Sequence, residues 1–112
     1  MEKLDIKENQ SVFKIGEASD KMFLLVKGKV GIFLAKNESK DPDFFVEENE
    51  IFGEMGVINN ELRSASARCL EDSTIIAITD KEFNKEVGDS NIFVKGCLEM
   101  LSHRLRQANK KL

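Results

Sequence analysis

The chain has 112 residues and a mass of 12.7 kDa, which is the size of one domain. Its composition, 41% hydrophobic and 33% charged, is typical of a globular protein and excludes a disordered chain. The formal net charge of −3 argues against nucleic-acid binding by the whole chain, because such domains carry a positive balance. Residues 101–112 are locally basic, which is typical of the C-terminal end of a helix.

Short strands are predicted for the first three quarters of the chain. They are expected at Ser11–Ile15, Met22–Val26, Val30–Ala35, Phe44–Val46, Ala65–Leu70 and Thr74–Thr79. Gly28, between the second and third strands, predicts a tight hairpin, and the polar stretch Lys36–Asp43 predicts another turn. The regular recurrence of turns predicts antiparallel pairing in a sandwich or barrel.

The pattern becomes helical after Thr79. Thr79 or Asp80 is a good N-cap residue, and the first helix is predicted to end near Val87, before Gly88. A long helix is predicted from Ile92 onward, with apolar residues at alternating intervals of four and three. This apolar stripe consists of Val94, Leu98, Leu101, Leu105, Ala108 and Leu112. The stripe fits either docking on the chain's own β-domain or pairing with a partner helix, and both interpretations stay open.

The cysteines and the N-terminus indicate the cellular compartment. Cys69 and Cys97 have no motif spacing, so both are predicted to be small buried side chains rather than a disulfide or metal pair. The first residues are charged and lack the apolar core of a secretory signal. The longest apolar runs fall far short of the roughly 20 residues that span a bilayer. We therefore expect a cytoplasmic protein without a membrane partner.

The segment IFGEMGVINNELRSASA, beginning at Ile51, carries the main functional signal. Ile51 and Phe52 are predicted to anchor it in the core, and Gly53 permits a backbone conformation that a side chain would disfavour. Glu54–Ile58 is predicted to form a short helix whose first amides lack partners within the helix and can bind an anion. Arg63 follows at the start of the next strand, where its planar guanidinium can reach the same anion.

A carboxylate beside this anion site narrows the class of ligand. Glu54 is electrostatically unfavourable next to a phosphate, so we expect it to accept hydrogen bonds from a neutral group such as a sugar hydroxyl. Each of these residues alone is typical of a turn or a solvated surface. Together, the amides, Glu54 and Arg63 predict a site for a phosphorylated ribose.

The stretch FGEMGVINNELRSASA resembles the phosphate-binding cassette of cyclic nucleotide-binding domains. The upstream segment Phe13–Phe33 resembles the G-E-x-x-D and x-G-x-V pattern of the same family, and the match covers roughly residues 11–110. The resemblance implies a jelly-roll-like antiparallel β-roll (a double-stranded β-helix) with a short cassette helix and a long C-terminal helix. We expect one domain over residues 1–112, with the β-roll at about 11–79 and a helical cap at about 80–112.

The resemblance also implies roles for individual residues. Cassette amides would hold the cyclic phosphate, Glu54 would bind the ribose 2′-hydroxyl, and Arg63 would pair with the exocyclic phosphate oxygens. The implied ligand-binding set is Gly53, Glu54, Met55, Gly56, Arg63, Ser64 and Ala65. Contacts to the base or cap are implied for Leu101, Arg104, Leu105 and Asn109. Asn49 and Leu62 stand where the family usually has glycine and proline, and asparagine tolerates left-handed geometry.

The predicted function is a cyclic nucleotide sensor without a cofactor, with cAMP favoured over cGMP. Binding is expected to move the helices of residues 80–112, whose stripe Val94–Leu112 would contact a second copy or a partner protein. The chain ends after the long helix, so we expect a free-standing or excised domain.

The alternative is a β-roll that keeps the fold as a ligand-free interaction or oligomerisation module. An enzyme is not expected, because His103 is the only histidine and no catalytic triad can be built around it. A metal centre is not expected for the same reason, since a β-roll metal enzyme needs several His or carboxylate ligands.

Overall fold

A computed structural model describes residues 1–89 and, beyond them, positions 92, 93, 96, 97, 100, 101, 103, 104 and 107. The elements in chain order are β1 (Glu2–Ile6), β2 (Ser11–Phe13), β3 (Lys21–Lys27), β4 (Val30–Leu34), β5 (Phe44–Val46), β6 (Ile51–Phe52), α1 (Glu54–Asn59), β7 (Ala65–Cys69), β8 (Ser73–Thr79) and α2 (Asp80–Asp89). The predicted strands and cassette helix are confirmed to within a few residues.

The strands of the described residues form two antiparallel four-stranded sheets. Sheet A has the order β1-β8-β3-β6, and sheet B has the order β2-β7-β4-β5. Alternate side chains of both sheets point inward, as the two-residue period of a strand requires. They meet in one core whose largest fully buried members are Leu25, Val30, Cys69 and Ile75. The predicted antiparallel β-roll is confirmed.

The connection at Gly28 differs from the predicted hairpin. β3 belongs to sheet A and β4 belongs to sheet B, so these consecutive strands do not pair and the hairpin prediction is wrong. Gly28 carries the chain between the sheets with φ of 110°, and a Cβ there would lie 2.2 Å from Ser73 Oγ. Leu25 and Val30, on either side of the turn, are both fully buried and face the core from opposite sheets. A short glycine turn fits either connection, so the local sequence does not distinguish them.

Strand β1 lies outside the predicted roll, which begins near residue 11. It pairs with β8, from Glu2 opposite Ala77 to Ile6 opposite Ser73. Leu4 and Ile6 pack against the core, while charged residues occupy the other positions. An edge strand needs only one apolar face, and charged residues protect its open side.

Helix α2 begins as predicted but ends later. Glu82 N donates to Thr79 Oγ1 at 3.1 Å, and Thr79 N donates to Glu82 Oε1 at 3.0 Å, which completes a capping box. The predicted end at Gly88 is wrong, because α2 continues through Gly88 to Asp89. A helix tolerates an interior glycine at a cost of about 1 kcal/mol. Most of the long helix predicted from Ile92 lies outside the described residues and stays a prediction.

The two cysteines differ in their surroundings. Cys69 is fully buried in the core, as predicted, and burial raises the pKa of its thiol. Cys97 is exposed, so the prediction of its burial is wrong. It follows the β-roll in sequence, and neither sheet covers it. No helix in the described part of the chain is long and apolar enough to cross a membrane.

Candidate functional site

The cassette opens with a left-handed turn at Gly53. Phe52 is buried at the end of β6, and Gly53 has φ of 76° just before α1 begins. A Cβ at Gly53 would lie 3.0 Å from Arg63 Nη1 and 3.1 Å from a ring carbon of Phe13. Both the positive φ and this close packing therefore favour glycine at the position.

Asparagine residues shape the backbone on both sides of the cassette helix. Asn60 caps α1 with φ of 55°, and the next amide, of Glu61, donates to Gly56 O at 3.0 Å. Upstream, Asn49 has φ of 71° and donates its N–H to Leu25 O at 2.7 Å. Asn49 thus adopts the left-handed conformation expected at a position where glycine is usual.

Arg63 is buried, with 5% of its surface exposed, although it lies in the loop before β7. Its Nη1 donates to Gly53 O at 2.6 Å, and its Nη2 donates to Lys21 O. The guanidinium carbon lies 4.2 Å from the ring centroid of Phe13. Burial lowers the pKa of Arg63 from its ordinary value, while Asp20 opposes this shift. The group stays charged at neutral pH, because an ordinary arginine titrates above 12.

The charge of Arg63 is not neutralised at close range. Within the described residues, no carboxylate lies at ion-pair distance from it. Asp20, Glu17 and Glu54 act at longer range and favour the charged form. The Arg63 Nε is buried and has no hydrogen-bond acceptor in the described structure. Since buried cations are usually paired, this guanidinium is suited to bind an anion.

A cleft of about 340 Å³ lies beside the cassette. Every residue of the predicted ligand-binding set lines it: Gly53, Glu54, Met55, Gly56, Arg63, Ser64 and Ala65. The structure therefore brings together residues that are up to twelve positions apart in sequence. Their individual roles toward a ligand stay predictions.

The cleft also has an apolar side that sequence reasoning missed. Leu34, Phe44 and Ile51 line it and are 42%, 58% and 58% exposed. The predicted core position of Ile51 is therefore wrong, because side chains alternate along β6 and Phe52, 4% exposed, takes the core side. Phe44 faces the cleft because it pairs in register with Ile32 of β4, another lining residue. Recognising Phe44 as a cleft residue requires the strand register, which no local sequence motif provides. Exposed apolar side chains grouped at a cleft are typical of ligand sites.

The loop between β2 and β3 supports the cassette from outside the cleft. Arg63 N donates to Glu17 O at 2.9 Å, and Gly16 N donates to Arg63 O at 2.9 Å. At the cassette helix, a Cβ on Gly56 would lie 2.2 Å from Ser19 Oγ. This loop is the G-E-x-x-D part of the sequence match, so the matched upstream segment packs directly on the cassette.

Polar groups at the cleft come from the cassette itself. Glu54, partly buried, and Ser64, exposed, both line the cleft. Across the part of the chain that the structure describes, no group of three or more His, Cys, Asp or Glu side chains is placed to hold a metal ion. The arrangement offers backbone amides, one carboxylate and one guanidinium, which together suit a phosphorylated, hydroxylated organic ligand.

Only two of the four residues predicted to contact the base or cap lie among the described residues. These two, Leu101 and Arg104, are helical and exposed, and neither lines the cleft. Leu105 and Asn109 lie outside the described residues. The cap contacts therefore stay predictions. By contrast, Phe13, Ile32, Leu34 and Phe44 line the cleft from the sheet side and were absent from the predicted set.

A two-sheet β-roll whose cleft combines a glycine-led cassette with a buried arginine defines a class of ligand-recognition domain. The chain belongs to the cyclic nucleotide-binding domain family, whose family model matches residues 3–90. It is 24% identical over 106 residues to the cyclic AMP receptor protein of Thermus thermophilus, covering 94% of this chain and 49% of that protein. It is 30% identical over 80 residues to cGMP-dependent protein kinase 2 of Homo sapiens, covering 69% of this chain and 10% of the kinase. The chain thus spans half or less of these relatives.

Solved structures agree with this assignment. The EAL enzyme Bd1971 in its halfsite-occupied form superposes with a TM-score of 0.83 and 36% identity, over 96% of this chain and 97% of that chain. The form of Bd1971 with cAMP and cyclic-di-GMP bound superposes with a TM-score of 0.76 and 35% identity, over 98% of this chain and 29% of that chain. Thermus thermophilus catabolite activator protein shares the fold, with a TM-score of 0.79 and 22% identity over 98% of this chain and 52% of that chain.

Proposed function

We propose that the chain binds a cyclic nucleotide monophosphate in the cleft beside Arg63 and acts as a regulatory sensor. The observation that carries this proposal is the buried Arg63 guanidinium, which has no carboxylate at ion-pair distance in the described structure. A cyclic phosphate carries one negative charge and presents two exocyclic oxygens, which match the planar donors of a guanidinium.

Different cassette residues bind different parts of the ligand. The backbone amides of Gly53–Gly56 hold the cyclic phosphate, and Glu54 accepts a hydrogen bond from the ribose 2′-hydroxyl. Ser64 adds a donor beside the phosphate. These residues share one cleft with Arg63, so a single ligand can contact all of them. Because Glu54 meets a hydroxyl rather than the phosphate, its negative charge does not oppose binding.

The base lies against the apolar side of the cleft, on Leu34, Phe44 and Ile51. These side chains have no hydrogen-bonding groups, so they favour adenine, the less polar purine, and we propose cAMP ahead of cGMP. Ser64 is the exposed hydroxyl that can instead pair with a guanine. The solved Bd1971 structures include a cAMP-bound and a cGMP-bound form, which supports a site able to hold either nucleotide.

Calorimetric titration with cAMP and cGMP tests the binding proposal. We expect micromolar or tighter binding, with cAMP ahead, and a loss of about a hundredfold or more in Arg63→Ala, or about 2.8 kcal/mol. Arg68→Ala is the matched control, because Arg68 lies on the opposite face of sheet B. The nucleotide should be recovered unchanged, since we propose a binding domain and not an enzyme. Absence of heat with either nucleotide would overturn the proposal.

The sensor output is proposed to be a shift of the helices of residues 80–112, which alters a contact with a second copy or a partner protein. The capping box that joins β8 to α2 supports a rigid connection between the roll and the first helix. Amide hydrogen exchange over residues 80–112, with and without cAMP, measures the shift. We expect cAMP to change the protection in the wild type, and to do so in Arg63→Ala only at a correspondingly higher cAMP concentration.

The ligand-free interaction module remains the second candidate function. It is favoured by Ile92 and Phe93, which are 88% and 77% exposed. Large apolar side chains exposed side by side are typical of association surfaces. A chain that gives no heat with either nucleotide but self-associates in sedimentation experiments would favour this function. Loss of that association in a double Ile92→Ser, Phe93→Ser variant would place the contact there.

A further inference from the structure

Three phenyl rings form a platform beneath Arg63. The ring centroids of Phe23 and Phe52 lie 5.4 Å apart, and Phe13 lies 5.8 Å from Phe23 and 6.3 Å from Phe52. The Arg63 guanidinium carbon lies over Phe13 at 4.2 Å and is 5.6 Å from Phe23. Phe13 is the ring closest to the guanidinium, and it lines the cleft together with Phe52.

The platform holds the Arg63 side chain without neutralising its charge. A carboxylate partner would fix the side chain equally firmly but would neutralise it and occupy its edge donors. An aromatic face attracts the cation through its quadrupole, most strongly in a desolvated site, and leaves the edge N–H groups available. Two of those N–H groups are held by Gly53 O and Lys21 O, which fixes the plane of the guanidinium.

We infer that Phe13 is a positioning residue whose ring holds the Arg63 guanidinium in the orientation that meets the exocyclic oxygens of the phosphate. The inference rests on the proposed function, because it concerns how that same site engages its ligand. Phe13 affects ligand binding only by orienting Arg63. Phe13 lies on β2 in sheet B, and Arg63 is fifty positions further along the sequence. The pairing is thus a tertiary contact that no local motif encodes.

The test compares Phe13→Leu with Phe13→Tyr, which removes or keeps the aromatic face. The ligands are cAMP and its two phosphorothioate diastereomers, in each of which sulfur replaces one exocyclic oxygen. We expect Phe13→Leu to bind cAMP about tenfold more weakly, or about 1.4 kcal/mol. We also expect the ratio of affinities for the two diastereomers to fall toward one, because a loosened guanidinium no longer distinguishes the oxygens. Phe13→Tyr should restore both values.

Phe33→Leu is the matched control, since Phe33 supports Arg68 at 4.4 Å on the other face of sheet B. It should leave affinity and diastereomer ratio unchanged. An unchanged cAMP affinity in Phe13→Leu, or a loss shared equally by both diastereomers, would overturn the inference. Failure of the wild type to bind any nucleotide would instead overturn the proposed function.

A measurement on the wild-type protein covers the case in which Phe13→Leu does not fold. In NMR spectra, the Arg63 Nε–H signal should show a ring-current shift and slow exchange with solvent. A signal at the position of free arginine would contradict the stacked arrangement and the inference with it.

Discussion

Arg63 and Arg68 lie five positions apart and have closely similar surroundings. Each guanidinium lies over a phenyl ring, Arg63 over Phe13 at 4.2 Å and Arg68 over Phe33 at 4.4 Å. In both side chains, the Nε is buried and has no acceptor in the described structure. A stacked arginine is therefore not by itself the mark of the site.

The two arginines differ in what holds the edge of the guanidinium. Arg63 donates to two backbone carbonyls, whereas Arg68 makes one 3.5 Å contact to Lys40 O, at the limit of hydrogen-bond distance. Arg63 lines the cleft, while Arg68 lies on the outer face of sheet B, opposite Gly31 in register. A fixed donor plane beside a cleft thus distinguishes Arg63, the proposed ligand-binding arginine, from Arg68.

Replacing each arginine by lysine gives the largest expected contrast. Arg63→Lys keeps the charge but loses the planar donors, so we expect cAMP to bind about thirtyfold more weakly, or about 2 kcal/mol. Arg68→Lys should bind as the wild type does. Calorimetric titration of both variants measures the difference. Equal losses in the two variants would remove the distinction drawn between these arginines.

Alanine substitutions at two glycines, Gly56 at the cleft and Gly31 on the outer face of sheet B, compare these two regions through side-chain packing. A Cβ on Gly56 would lie 2.2 Å from Ser19 Oγ, and one on Gly31 would lie 2.8 Å from Pro42 Cβ. We expect each alanine variant to lose about 1–2 kcal/mol of unfolding free energy, since overpacking typically costs 1–3 kcal/mol and Gly56→Ala regains some helix propensity. Only Gly56→Ala should also weaken cAMP binding.

Urea titration and calorimetry separate the two effects of the glycine variants. Adding Ser19→Gly should partly restore stability in Gly56→Ala, because it removes the side chain that the new Cβ meets. If Gly31→Ala weakens binding as much as Gly56→Ala does, the outer face of sheet B contributes to the site and the comparison fails.

The adjacent phenylalanines of β5 give a smaller contrast. Phe44 lines the cleft, whereas Phe45 lies on the opposite face beneath Lys29, and both are about half exposed. We expect Phe44→Ala to weaken cAMP binding about fivefold, or about 1 kcal/mol, as the loss of one stacking partner implies. Phe45→Ala should leave the affinity unchanged. A larger loss of affinity in Phe45→Ala than in Phe44→Ala would indicate that the base binds elsewhere.

The smallest expected effect concerns Glu82, far from both arginines. Hydrogen bonding to the N-terminal ammonium, and to Thr79, lowers the pKa of Glu82 to about 2. Its unfolded value is near 4.3, so the stabilisation is complete above that pH and is lost as the pH falls toward 2. We expect Glu82→Gln to have a lower Tm than the wild type at pH 6 and a much smaller difference at pH 2, where about half of the Glu82 carboxyl is protonated in the folded state. Binding at neutral pH should not change, and an undiminished gap in Tm at pH 2 would contradict this assignment.

The cassette was predictable because its determinants are local. Gly53 needs a positive φ, Glu54 begins the helix, and Arg63 follows at a spacing that brings it back to them. These residues meet at one cleft as the resemblance implied. The tolerance of asparagine for left-handed geometry likewise anticipated Asn49.

The other half of the cleft was not predictable, because strand register creates it. Phe13 meets Arg63, and Phe44 meets the cleft, only after distant strands have paired. The prediction of a hairpin at Gly28 failed for a related reason: one turn sequence fits either a hairpin or a crossing between sheets. β1 was missed because an edge strand with charged residues has a weak hydrophobic signal.

The order of strands in sheet A has a consequence for how the molecule assembles during synthesis. β8 lies between β1 and β3, yet among the strands of the described residues it is the last to be made. Chain closure over such long sequence separations slows folding, and the apolar β3 stays largely uncovered until β8 emerges. All seven cassette residues at the cleft precede β8. A chain halted at Leu70 would contain each of them but could not close the core, so the proposed binding site and the cooperative fold are completed by the same late step.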